Sequence, residues 1–219
     1  MAYTTPRPDI FDMVPPNAMS VLDVGCSNGA LGQGLKAARP GRRVTGIEID
    51  PVFAAHAKEY LDDVMCADLN SMDWSTALGE TRFDCIVFAD VLEHLPDPNR
   101  HLAAAKSLLS PGGCVIVSMP NIRHISALYS IFIRGTFPRR ARGIFDRTHL
   151  RWFTCADGGS LIRESGMAID RVSYVIRLRD TGGDLLNRIG IRLLEPIQTF
   201  FPVREFFTYQ FCIRAVIAK

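Results

Sequence analysis

Two histidines stand where this chain could move a proton. His94 lies in "DVLEHLPDP", and His149 in "IFDRTHLRWFT", residues 144 to 154, which also holds Asp146, Arg147, Arg151, Thr148, Thr154 and the aromatics Phe145, Trp152 and Phe153. An imidazole titrates near neutrality, so either suits the removal of a proton from a hydroxyl. Each also has a structural reading. Glu93 and His94 could orient their loop or cap the helix beginning at Pro98; Asp146 could cap a turn and pair with Arg147 while Trp152 and Phe153 fill the core beneath. Residues 134 to 151 carry Arg134, Arg139, Arg140, Arg142, Arg147 and Arg151 against Asp146 alone. Guanidinium forks suit phosphate and carboxylate, so an anionic small molecule fits this run, and so does a solvated loop. Further acids end or follow apolar runs: Asp23, Glu48, Asp68 and Asp90.

The elements that must position these side chains follow from the hydrophobic pattern. Short β-branched runs alternate with helical patterns through the first half, which predicts βαβ units and a parallel sheet. Strands are expected at 20 to 25, 42 to 50, 64 to 68, 82 to 90 and 114 to 120, with helices at 30 to 40, 51 to 63 and 98 to 113. Asp50 before Pro51 reads as a helix cap. After Pro120 the rhythm breaks: a helix "HISALYSIFIRG", the polar and aromatic stretch, a helix at 155 to 166 and a strand at 168 to 177. The chain ends on the strand "YQFCIRAVIAK", which has no crossover helix before it and is expected to pair antiparallel with the preceding strand.

The turn after the first strand, "VLDVGCSNGALG", places glycine where the backbone can approach a ligand at a polarised helix N-terminus. A dinucleotide fingerprint would need glycines at 25, 27 and 30, but the chain has Gly25, Ser27 and Ala30. A nicotinamide oxidoreductase is therefore a rival reading without its fingerprint.

Taken with "GIEID", "CADL", "FDCIVFADVLEHLPDP" and "LLSPGGCVIVSMPN" in that order, this turn resembles a class I S-adenosylmethionine-dependent methyltransferase over about residues 20 to 120, and more loosely over the terminal strand pair. The resemblance implies a Rossmann-like α/β fold: a seven-stranded, mostly parallel sheet with an antiparallel last strand. The expected layout is a single domain, with 1 to 19 as an N-terminal cap segment, 20 to 120 as the cofactor core, and 121 to 156 and 178 to 207 as an added lid. It further implies that Asp23 and the backbone of Gly25, Cys26, Ser27, Asn28 and Gly29 hold the methionine moiety of S-adenosylmethionine, and that Glu48 bridges the ribose hydroxyls. Ile49 would pack on adenine, Asp68 meet its amino group beside Leu69, and Ala89 and Asp90 line the sulfonium side. Asp68 also reads as a cap. The family usually has glycine where this chain has Ser27. "DRTHLRWFT" is similar to a stretch in a subgroup of bacterial methyltransferases.

On this reading the activity is methyl transfer to a small-molecule hydroxyl, in a sugar, lipid-linked or quinone-type intermediate, or to an amine, with S-adenosylhomocysteine as product. His149 and His94 are the candidate bases; Arg147, Arg151, Trp152 and Tyr3 are candidate acceptor contacts, and Arg7 could meet the cofactor carboxylate. A non-catalytic binding protein and an RNA methyltransferase are the other rivals. The 25 basic and 23 acidic side chains nearly cancel in 219 residues, which weighs against nucleic acid. No acidic cluster offers an octahedral oxygen site, so no metal is expected. The six scattered cysteines suit reduced thiols in a cytoplasm, and no apolar run approaches the roughly 18 residues of a membrane span. The apolar positions within 184 to 207 suit core packing, a homodimer face or peripheral membrane contact.

Overall fold

The strand-forming runs assemble into one sheet in this computed structural model, which describes residues 7–178 and 203–218. Its strands are β1 (Ser20–Val24), β2 (Arg43–Glu48), β3 (Asp63–Cys66), β4 (Phe83–Ala89), β5 (Leu109–Pro120), β6 (Met167–Ile176) and β7 (Thr208–Ile217), in the order β3-β2-β1-β4-β5-β7-β6. The first five pair in parallel. As expected for the last strand, β7 runs antiparallel to both β5 and β6.

The chain moves outward from β1 through β2 to β3, then returns to lay β4 on the other side of β1. Ligands of such sheets bind at this reversal, outside the carboxyl ends of the strands. Register sets Val24 beside both Ile47 and Phe88. Gly25, Glu48 and Ala89, each one residue further along, therefore open at the same edge.

Both faces of the sheet are covered, which explains why the central strands are nearly continuous in apolar residues. On one face, Leu31 and Leu35 of α2 (Ala30–Ala38) and Ala54 and Ala57 of α3 (Pro51–Ala57) pack with Val21, Val44, Val87 and Ile116. On the other, Leu102 and Ala105 of α5 (Pro98–Ser107) and Leu161 and Ile162 of α7 (Cys155–Glu164) pack with Phe83, Phe88, Val117 and Phe211. Full burial of each large side chain contributes about 1.5–3 kcal/mol. The helix caps follow local chemistry: Asp50 accepts from the amides of Val52 and Phe53, and Thr154 with Asp157 forms a capping box at α7.

Several elements differ from the sequence expectation. The helix expected through Gly113 ends at Ser107, because Leu109 pairs with Phe83 and begins β5 early. Residues 124 to 135 form a short α6 (Ile125–Leu128) continued by a π-helical turn, Tyr129–Ile133, rather than one α-helix. Two short helices were not anticipated: α1 (Pro8–Phe11) and α4 (Trp74–Leu78), the latter capped by Asp73. Of the apolar insert at 184 to 207, only the helix Val203–Phe207 lies within the described residues; the rest of it, and Tyr3, lie outside them. Among the described residues no helix is long and apolar enough to cross a membrane. All six cysteines are free, four of them buried.

Candidate active site

The turn from β1 into α2 has a shape that only particular residues tolerate. Gly25 has φ 73°, and a Cβ there would lie 2.6 Å from the Val91 Cγ2 methyl. Its amide and that of Cys26 donate to the Ile47 carbonyl, tying the turn to β2. Gly29, φ 80°, caps α2 where a Cβ would sit 3.1 Å from the Ala57 Cα. Ser27 departs from the family's glycine and yet keeps a left-handed conformation, φ 51°. Its amide donates to Glu48 Oε2 at 2.8 Å, and its buried Oγ has no hydrogen-bond partner among the described residues.

Asp23 ends its strand beneath this turn. Its side chain is buried, and Oδ2 has no hydrogen-bond partner among the described residues. Burial, reinforced by the negative charge of Glu48 and opposed by Arg7, pushes its carboxyl up to about 7. Glu48 is also buried; besides Ser27 it accepts from the Asp50 amide at 2.9 Å. Asp68 is exposed and accepts from the amide and side chain of Asn70, so its turn-capping role is real.

These residues line a cleft of about 950 Å³. Of the residues expected to meet a cofactor, Arg7, Asp23, Gly25, Ser27, Glu48, Ile49, Asp68, Leu69, Ala89 and Asp90 face it, while Asn28 and Gly29 shape the turn behind it. Arg7 is buried and its guanidinium reaches Asp9, Asp90 at 2.7 Å and Ser118 at 2.9 Å. Gln210 of β7 joins the same network through Ser118 at 2.7 Å and through Asp90. Four segments distant in sequence are thereby fastened together at the cleft. Asp90 sits at φ 57°, a strained setting for an acid that the network holds in place.

The other wall of the cleft is built by the Leu92–His94 3₁₀ turn and the segment from 140 to 151. The Glu93 carbonyl accepts from the amides of Leu150 and Arg151, which holds the two together. His94 and His149 meet edge to face with ring centroids 4.7 Å apart. Burial, with the positive field of His94 adding to it, lowers His149 to about 4, so it is neutral at neutral pH. Its Nδ1 lies 3.2 Å from the Ile144 carbonyl, and Nε2 lies 3.9 Å from Glu93 Oε1. His94 Nδ1 lies 3.3 Å from the Thr148 carbonyl and 3.1 Å from Thr148 Oγ1, whose hydroxyl donates to Asp146 at 2.6 Å. Glu93 is fully buried, and neither carboxylate oxygen has a hydrogen-bond partner among the described residues. Burial, then the charge of Asp90, pushes its carboxyl well above the usual range.

The candidate acceptor contacts divide. Arg147, Arg151 and Trp152 do not face the cleft: Arg147 is exposed, Arg151 donates to the Pro96 carbonyl, and Trp152 donates to the Ile144 carbonyl at 2.9 Å while packing edge-on against Phe137. From the same arginine run, Arg140 and Arg142 do line it, together with Asp146, Arg177, Tyr209 and Gln210. The doublet Glu93-His94 was visible as a motif, but nothing in its spacing shows that Glu93 would be buried opposite His149. Gln210 carried no signal in sequence, because its place depends on β7 lying beside β5.

A family model described as a methyltransferase domain matches residues 6–168. Among curated proteins, the ubiquinone biosynthesis O-methyltransferase of Alkalilimnicola ehrlichii is 36% identical over 115 residues, 51% of this chain and 45% of that protein. That of Xanthomonas axonopodis pv. citri is 35% identical over 166 residues, 74% of this chain and 67% of that protein. The chain thus spans from about half to two thirds of the length of these relatives. In fold it is similar to an S-adenosylmethionine-dependent methyltransferase of Mesorhizobium loti, with TM-score 0.62 at 15% identity over 95% of both chains. A comparable protein of Archaeoglobus fulgidus gives TM-score 0.61 at 17% identity, over 91% of this chain and 86% of that one. With its strand order, its glycine turn and a family match across most of its length, the chain belongs to the methyltransferase domain family.

Proposed function

We propose that this chain transfers the methyl group of S-adenosylmethionine to a hydroxyl of a small quinone-type intermediate, leaving S-adenosylhomocysteine. The observation that carries the reading is Asp23: a buried acid with an oxygen lacking a hydrogen-bond partner among the described residues, beneath a turn whose glycine conformations bring backbone close to a ligand. A zwitterionic methionine moiety fits it, since its ammonium would satisfy the orphan oxygen and favour the ionised carboxylate. Glu48, already fixed by two backbone amides, is set to accept from ribose hydroxyls. Ile49, 62% exposed beside Asp68 and Leu69, offers an apolar surface for a purine. The cleft volume suits a cofactor with a small acceptor beside it.

S-Adenosylmethionine supplies a methyl on a sulfonium; the protein's task is alignment and removal of the acceptor's proton. Ala89 and Asp90 lie between the glycine turn and the Glu93, His94, His149 corner, which is where the acceptor oxygen would lose that proton. Arg140 and Arg142 add positive charge on the same side, fitting an acceptor with an acidic substituent. The relatives named for ubiquinone biosynthesis O-methylation support a hydroxyl over an amine. The nicotinamide reading lacks its glycines, and a net charge of only +2 gives the RNA reading little support.

Calorimetry with S-adenosylmethionine tests the first half. Micromolar binding that Glu48→Ala weakens by about 10-fold or more is expected; absence of binding to the wild-type protein would sink the reading. A screen of hydroxylated aromatic acceptors with methyl-labelled cofactor tests the second, and label appearing only on amines would overturn the choice of oxygen.

A further inference from the structure

The acceptor side of the cleft is lined by guanidinium groups from two unrelated parts of the chain. Arg140 and Arg142 come from the irregular segment after β5, and Arg177 follows β6. Residues 134 to 145 hold four arginines and no acid. The wall itself is similarly one-sided. Asp146 stands against the three arginines there, while Asp90 is already paired with Arg7 at 2.7 Å and burial pushes Glu93 toward its neutral form.

Two of these guanidiniums are laid on aromatic rings of a single buried cluster, in which Phe145 and Tyr209 join Ala127 and Ile144. Arg177 lies over the Tyr209 ring, 4.6 Å from its centroid, and Arg140 over the Phe145 ring at 5.9 Å. Backbone bonds fix both residues. The Arg177 amide donates to the Phe207 carbonyl at 2.9 Å, and the Arg140 amide to the Phe145 carbonyl at 2.8 Å. His124 braces the first pair: its Nε2 lies 2.8 Å from the Arg177 carbonyl, and its ring meets Tyr209 edge to face at 5.3 Å. A guanidinium held flat on an aromatic face loses little rotational freedom on taking an anion and keeps its N–H fork at the ring's edge. A merely solvated run of charge needs no such bracing.

We propose that Arg140, Arg142 and Arg177 form a subsite for a phosphate or diphosphate group carried by the methyl acceptor. A carboxylate is planar and is satisfied by one guanidinium fork; three guanidiniums arriving from two segments suit a tetrahedral, doubly charged oxyanion. The acidic substituent that Arg140 and Arg142 favour is thereby a phosphate, with Arg177 as its third contact. The purpose of the subsite rests on the methyltransferase reading, although anion binding does not. Held by its phosphate, the acceptor would present its hydroxyl at the Glu93, His94 and His149 corner, and no bond to phosphorus would change.

The test uses the full chain in low-salt buffer, titrated calorimetrically with sodium pyrophosphate, with and without saturating S-adenosylhomocysteine. Expected are binding of one equivalent in both conditions and weakening by about 10-fold or more in Arg142→Gln and in Arg177→Gln, while Arg134→Gln, outside the cleft, changes nothing. Arg142 is exposed, so a folded variant is available if Arg177→Gln fails to fold. Absence of binding, an equal loss in Arg134→Gln, displacement by S-adenosylhomocysteine, or equal affinity for acetate would overturn the proposal. Glucose 6-phosphate and a polyprenyl phosphate in detergent then compete against pyrophosphate. Displacement by the first supports a soluble phosphorylated acceptor, displacement by the second a lipid-linked one, and displacement by neither overturns the subsite. S-Adenosylmethionine affinity is measured separately: its failure would remove the methyltransferase reading and leave the pyrophosphate result standing, and the reverse pattern would remove only the subsite.

Discussion

Two acids in the same cleft are buried without full complements of partners, and what surrounds each differs. Asp23 ends a central strand under a glycine turn, with Arg7 and Glu48 in its field. Glu93 sits on a 3₁₀ turn against two imidazoles, with Asp90 and Asp146 adding negative charge. In both, burial raises the carboxyl pKa. The surroundings decide what each can meet. Backbone donors near Asp23 suit an organic ammonium carrying its own carboxylate; the imidazoles near Glu93 suit a proton leaving an acceptor hydroxyl. A partnerless acid thus marks the place of a ligand, and its neighbours supply the ligand's chemistry.

Exchanging the two losses is the sharpest way to break this comparison. Glu93→Gln should reduce turnover by about 1,000-fold, in the range of a lost acid-base contribution, while S-adenosylmethionine affinity stays within about threefold. Asp23→Ala should do the reverse, weakening cofactor affinity by about 100-fold and leaving turnover at saturating cofactor within about tenfold. If either variant damages both functions equally, the two acids belong to one structural unit and the distinction fails. Parallel calorimetry and turnover assays on the two variants decide it.

The difference in legibility between these corners is itself physical. Asp23, Gly25 and Glu48 could be placed at strand ends from sequence because a strand, a tight turn and a helix N-terminus are local, and the strand ends follow from the alternation of β and α segments; their cofactor roles came from the family resemblance. Glu93 and His149 are 56 positions apart, and the strap that brings them together has no periodicity: Arg140, Phe145 and Asp146 hold an irregular path through backbone hydrogen bonds and edge-to-face packing of Phe145 with Phe137. Arg147, Arg151 and Trp152 look equally chemical in sequence, yet they face the loop's own interior or solvent. Which side of an irregular strap each residue shows is fixed by tertiary packing, and composition carries no trace of it. The same holds for Gln210, whose role needs the antiparallel register that sets it across from Pro120.

The pH dependence of cofactor affinity sharpens the contrast further. In the ligand-free protein Asp23 is protonated below about pH 7, against an ordinary value of 3.8. Binding an ammonium there requires the ionised form, so a proton must leave as the cofactor binds. Affinity should therefore weaken by up to about tenfold per unit as pH falls below 7, and Asp23→Asn should flatten the profile at a lower affinity. The stability of the ligand-free protein should follow the opposite sense. Because the folded state keeps a proton that the unfolded chain loses, stability falls as pH rises from about 4 to about 7. Glu93→Gln should leave the affinity profile unchanged, which isothermal titrations between pH 5.5 and 8 would show.

Ser27 provides the smallest effect and a test of whether missing partners identify ligand contacts. Its Oγ, like Asp23 Oδ2 and the two Glu93 oxygens, is a buried polar atom of the cleft with no hydrogen-bond partner among the described residues, on a residue held at φ 51° where the family usually has glycine. Ser27→Ala keeps the left-handed strain, worth roughly 1–2 kcal/mol, and removes only the hydroxyl. If that hydroxyl serves nothing, its removal relieves a desolvation cost and leaves affinity alone. If it contacts the methionine moiety, the two effects have opposite sign: ligand-free stability rises by about 1 kcal/mol while S-adenosylmethionine affinity falls by about fivefold. We expect the second outcome, read by thermal melts with and without cofactor. The wild-type protein would then melt below Ser27→Ala when empty and gain more from saturating cofactor, since a donor left unsatisfied in the empty cleft is destabilising only until its partner arrives.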